Sequence, residues 1–157
     1  MSEHSLVLSW QRGSEVFTDR RYSRKHSVAF DGGLTVPYSS SPSVVRVPLS
    51  DPTAVDPEES LIAALASCHM LWFLDFAARA GFCVDSYRDE ASGSMSKNEN
   101  GKLFVSHIVL KPMVVFSGET VPDEKAYLAL HHAAHEECFI ANSLKSEVSV
   151  AAQMQRA

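Results

Sequence analysis

The run from Asp56 to Gly81 constrains this chain more than any other, because it reads as one long helix with no face suited to water. Asp56 stands where an N-cap is needed, Pro57 takes the first helical position, and Glu59 sits three residues after the cap, where it can return a hydrogen bond. The pattern continues unbroken to Ala80 and stops at Gly81, which suits a C-terminal cap. Between Leu61 and Leu74 the polar side chains are Ser67, Cys68 and His69 alone. Such a helix belongs at the centre of a fold or of an oligomer. The apolar stretch ends at Asp75, short of the roughly 20 residues of a bilayer span, which favours a buried helix over a membrane one.

Strands are expected on both sides of this helix. In the first fifty residues Leu6–Leu8, Ser27–Phe30, Leu34–Val36 and Val44–Val47 are β-like runs, and Asp31-Gly32-Gly33 reads as a tight hairpin turn. After the helix, Val84–Met95 and Lys102–Phe116 flank Asn98-Glu99-Asn100-Gly101, the signal of a long antiparallel pair over 84–116. Pro122-Asp123-Glu124 opens a second helix, 122–138, and Ser146–Ala152 alternates as a final strand. Strands, helix, strands, helix, strand define an α+β domain, and 157 residues suit a single domain over 1–157.

Composition removes several partners. The chain is 45% hydrophobic and 21% charged, with net charge −5, so as a whole it offers no attraction to nucleic acid or to an anionic membrane surface. No basic segment followed by an apolar run opens the chain, so a cytoplasmic location is expected. Three cysteines are too few for a disulfide scaffold and are free thiols, metal ligands or redox groups. Nucleophile-elbow, phosphate-loop and dinucleotide motifs are absent from the sequence.

Cys68 lies mid-helix in Ala66-Ser67-Cys68-His69-Met70, where an apolar setting raises a thiol pKa and reactivity requires a nearby cation. Its bland reading is a small buried hydrophobe. Cys138 ends the second helix beside Glu136 and Glu137, which disfavour a thiolate and suit it to act as a second thiol rather than a first. Cys83, among apolar neighbours, reads as structural. His131, His135 and Cys138 share one helical face and, with His69, form a partial zinc set. Arg20, Arg21, Arg24 and Lys25 make the one dense basic run; Arg24 is the candidate cation for a thiolate, with Arg20 and Arg21 as rivals.

The run Asp56-Pro57-Glu58-Glu59-Ser60-Leu61-Ile62-Ala63-Ala64-Leu65-Ala66-Ser67-Cys68 resembles the signature of the OsmC/Ohr family, the organic hydroperoxide reductases and their osmotically inducible relatives. Ala80-Gly81-Phe82 and Cys138-Phe139-Ile140-Ala141-Asn142-Ser143-Leu144 resemble the same family, so the likeness spans about residues 56 to 150. Phe139 where the family often has Pro, Ala141 where it often has Ser, His69 directly after Cys68, and the His131-His132-His135 group suggest a separate branch.

The resemblance implies an intertwined homodimer with long central helices and antiparallel sheets around them. It implies Cys68 as peroxidatic thiol, Cys138 as resolving thiol, Glu58 as the carboxylate that holds an arginine, and Arg24 as that arginine. It further implies organic hydroperoxides as substrates, an external dithiol of lipoyl type as reductant, and no bound cofactor. Glu58 and Cys68 are ten residues apart, about 15 Å along a straight helix at ~1.5 Å per residue. That span calls for a bent helix or a pocket shared by two subunits. Two other readings stand beside this one: zinc binding by His131, His135, Cys138 and His69, and a non-catalytic small-molecule-binding protein of the same fold.

Overall fold

The computed structural model describes residues 2–157. The chain gathers into two compact units, one running to Ser60 and one over Leu61–Ala157.

The first unit carries a three-stranded antiparallel sheet, β1 (Leu6–Ser9), β2 (His26–Phe30) and β3 (Thr35–Tyr38), in that order. The β2–β3 turn is the glycine hairpin: Gly33 has φ +90° and its N–H bonds Phe30 O at 2.9 Å. Val44–Val47, expected as a strand, lies outside any strand. Its valines are flanked by Pro42 and Pro48, and Val44 and Val45 both donate back to Ser41 O, a turn pattern that takes those N–H groups from any ladder.

Helix α1 (Pro57–Arg79) begins in this unit with a reciprocal cap: Glu59 N–H donates to Asp56 Oδ1 at 2.8 Å, and Asp56 N–H to Glu59 Oε2 at 3.1 Å. It ends in a Schellman turn, with Gly81 at φ +79° and the Phe82 N–H reaching Ala77 O. By length and composition α1 is apolar enough to cross a membrane. In the second unit, however, Leu65, His69, Phe73 and Ala77, spaced four apart, form a buried stripe on the core. Leu71 on the same helix is 60% exposed, so one chain buries only part of the apolar circumference.

The expected long hairpin forms, but breaks midway into two pairs. β5 (Ser92–Lys97) pairs with β6 (Leu103–Leu110), and β4 (Cys83–Asp89) with β7 (Pro112–Ser117), both antiparallel. The break falls at Glu90-Ala91 and Lys111, where Pro112 restricts the residue before it and Asp89 Oδ1 accepts the Lys111 N–H. The single final strand expected over 146–152 is two: β8 (Glu147–Val150), parallel to β6, and β9 (Gln153–Arg156), parallel to β7. The chain steps between sheets at Ala151-Ala152, with Ala151 N–H held by Leu110 O. The sheets of this unit, ordered β4-β7-β9 and β5-β6-β8, are therefore mixed rather than purely antiparallel.

Helix α2 (Glu124–Glu137) is capped by Asp123, whose Oδ1 accepts the Ala126 N–H at 2.7 Å. Two clusters fill the core: Phe73, Val114, Phe116, Tyr127 and their neighbours, and Leu65, Ile108, Leu110 and Cys138.

Candidate functional site

Two of the four expected site residues meet. Cys138 is the C-cap of α2, and its extended backbone (φ −68°, ψ 110°) turns the chain into a short 3-10 turn, Ala141–Ser143. Asn142 Nδ2 holds that turn by donating to Glu136 O at 2.8 Å. The thiol of Cys138 is fully buried against Leu65, Ile108 and Leu110, and Cys68 of α1, half-buried, packs on the same cluster. The two cysteines are thus neighbours across one buried cluster.

Burial first, and then the Cys68 sulfur beside it, push the Cys138 thiol up to about 11. The Ala141 N–H, 3.4 Å from Cys138 Sγ, acts weakly the other way. Glu136 and Glu137, expected to suppress the thiolate, are both exposed, and Glu136 faces His132 at 3.4 Å. The suppression is real but comes from burial, since carboxylates in water are screened. Cys83 also departs from expectation: it is exposed rather than packed, 4.0 Å from Asp85 Oδ1, because it opens β4 on a solvent-facing position.

Cys68 opens onto a cavity of about 600 Å³ lined by Leu71, Trp72, Asp75, Arg79, Phe139 and Ile140, among others. Ala64, Cys68, Leu71, Asp75 and Arg79 recur at three- and four-residue steps and so fall on one helical stripe. That spacing was available in the sequence, and it is the signal that would have found these lining residues. Phe139 closes the cavity edge-on to Trp72, ring centroids 5.7 Å apart. Apolar walls around a sulfur suit a hydrocarbon-bearing substrate.

The other two expected residues belong to the first unit. Arg24 is folded onto its own loop: its guanidinium lies 3.9 Å over the Tyr22 ring and donates to the carbonyls of Arg20 and Tyr22. Arg20, a rival for the same role, has φ +63°. Glu58 Oε2 is buried with no hydrogen-bond partner among the described residues.

The histidines do not join Cys138. His131 pairs instead with His69 across α1 and α2, Nδ1 to Nε2 at 3.0 Å. Among the described residues no group of three or more His, Cys, Asp or Glu side chains is arranged to hold a metal ion.

The fold is α+β, with a helix-borne thiol at an apolar cavity and a second thiol packed on the same core cluster. The family model described as OsmC-like protein matches residues 50–153, and the chain belongs to that family. It is similar over 97% of its length, and 99% of the other chain, to an OsmC-like protein of unknown function from Vibrio cholerae, at 52% identity and TM-score 0.94. An organic hydroperoxide resistance protein from Elizabethkingia anophelis shares the fold at 16% identity and TM-score 0.67, over 100% of this chain and 98% of that one. So does the organic hydroperoxide resistance protein OhrB of Bacillus subtilis, at 19% identity and TM-score 0.60, over 98% of both chains. No curated protein matches the chain.

Proposed function

We propose that the protein is a thiol peroxidase that reduces organic hydroperoxides in the cytoplasm, through a Cys68 sulfenic acid and a Cys68–Cys138 disulfide. The observation that carries this reading is the packing of the two cysteines, 70 positions apart in sequence, on one buried cluster beside an apolar cavity. Cys68 as thiolate attacks the terminal oxygen of the hydroperoxide; an S–O bond forms, the O–O bond breaks, and the alkoxide leaves as the alcohol after taking a proton. Cys138 then attacks the sulfenic sulfur, an S–S bond replaces the S–O bond, and the hydroxide leaves as water with the Cys138 proton. An external dithiol, of lipoyl type, returns both thiols by exchange and becomes the disulfide.

Arg24 is proposed to stabilise the Cys68 thiolate and Glu58 to hold that arginine, the partnerless buried carboxylate of Glu58 being the supporting observation. A homodimer is proposed as the unit in which these groups assemble. The similarity to proteins named for organic hydroperoxide resistance supports the substrate class. Titrating the reduced protein with cumene hydroperoxide tests the reading: two thiols are lost per chain, Cys68→Ser abolishes consumption, and Cys83→Ser leaves it unchanged. Persistence of activity in Cys68→Ser would overturn it.

A further inference from the structure

A buried histidine pair stands apart from the thiol chemistry. His69 and His131, 0% and 3% exposed, are parallel and joined edge to edge, ring centroids 5.3 Å apart, and His131 also packs on Phe73 at 4.3 Å and edge-on to Tyr127 at 4.7 Å. A neutral imidazole has one N–H and one bare nitrogen, so the bond between the rings can run in either direction. In both directions the outer nitrogens, His69 Nδ1 and His131 Nε2, are one donor and one acceptor. Neither meets a partner among the described residues, and nor does His135 Nδ1, one turn further along α2. Buried polar atoms left so carry their full desolvation penalty, and the two that belong to residues lining one cavity, His131 Nε2 and His135 Nδ1, call for a ligand.

His131 and His135 both line a cavity of about 260 Å³ whose other walls are His132, Leu128, Val148, Val150 and Ala152. We propose that this cavity binds a small neutral alcohol or phenol, its hydroxyl bridging His131 and His135 and its hydrocarbon body resting on the apolar walls. A hydroxyl donates and accepts through one atom, so it suits the pair in either tautomeric arrangement. Burial holds His69 and His131 below the ordinary histidine range, at about 4 and about 3, so at neutral pH the pair offers an anion no charge. No carboxylate lines the cavity to offset a cation, and among the described residues its three histidines, His131, His132 and His135, are not arranged to hold a metal ion. At about 30 Å³ per water-sized unit the volume takes a body of roughly seven to ten heavy atoms.

Titration of ¹⁵N-histidine-labelled protein with phenol, and with toluene as the same ring lacking the hydroxyl, tests this. Phenol should bind saturably and move the His131 and His135 ring nitrogens, and toluene should bind about tenfold or more weakly, because it leaves those nitrogens unpaired. Ala152→Phe, which fills the cavity and spares the imidazoles, should remove phenol binding; His135→Leu should narrow the preference for phenol over toluene. Equal binding of the two rings, shifts confined to other histidines, or no saturation would overturn the proposal. So would uptake of one zinc ion per chain that displaces phenol.

Discussion

At Cys138, burial and the neighbouring Cys68 sulfur together keep the proton on, with the thiol pushed up to about 11. In the proposed cycle that is an asset, because a second thiol that stays protonated does not compete for the peroxide and acts only once Cys68 carries a leaving hydroxyl. Cys138→Ser should therefore still react once: the Cys68 sulfenic acid should accumulate and be trapped by dimedone, seen as a mass adduct that the native protein does not form. A Cys138→Ser protein that consumes no peroxide in a single turnover would contradict this division of labour. Both cysteines were legible in the sequence through the motifs around them. What shifts Cys138 was not: Glu136 and Glu137 are adjacent in the chain, but three-dimensional burial decides the effect. Nor could the sequence foretell that His131 would turn to His69, 62 positions away, rather than toward Cys138.

Helices α1 and α2 are joined by that imidazole pair, and the link is sensitive to acid. Desolvation lowers both rings from 6.5, His69 to about 4 and His131 to about 3, so in the unfolded chain they take up protons before the folded protein does. The stability this represents is complete above pH 6.5 and is lost as pH falls through 4 toward 3, with a slope of up to about 1.4 kcal/mol per pH unit for each imidazole. Urea unfolding midpoints at pH 7 and at pH 4.5 should show the loss. His69→Leu combined with His131→Phe removes both polar partners together and should flatten the dependence while leaving the neutral-pH midpoint nearly unchanged; an equally steep fall in the double variant would place the titration elsewhere. Helix ends and turns were readable because their signals are local: Asp56, Glu59, Gly81 and Gly33 each act within a few residues. The division of the hairpin at Lys111-Pro112 and the parallel pairing of β8 and β9 depend on distant strands, and no local pattern encodes them. The approach of α1 to β5 is likewise set at a distance, since a Cβ on Gly93 would lie 2.7 Å from Ile62 Cδ1.

For the whole molecule, one chain leaves much apolar surface in water. Leu6, Val7 and Leu8 of β1 are 54%, 65% and 59% exposed, and α1, apolar almost throughout its middle, keeps Ala63, Ala64 and Leu71 exposed opposite its buried stripe. Apolar side chains exposed in this number, on each unit taken by itself, are a feature of interfaces more than of monomers. The proposed homodimer supplies a cover of matching chemistry, since a self-complementary contact repeats the same apolar face on both sides. Sedimentation equilibrium at micromolar concentration should return twice the 17.2 kDa chain mass. Leu71→Asp places a charge on the exposed face of α1, and Val7→Asp does so on β1 in the other unit; each should shift the equilibrium toward monomer, because an unpaired charge buried at an interface is costly to desolvate. The second variant matters because Leu71 also lines the thiol cavity, whereas Val7 does not. If Val7→Asp yields monomer and peroxide consumption falls with it, the catalytic unit is the pair of chains. If the native protein sediments as a monomer, Arg24 and Glu58 must reach Cys68 within one chain or take no part in the chemistry.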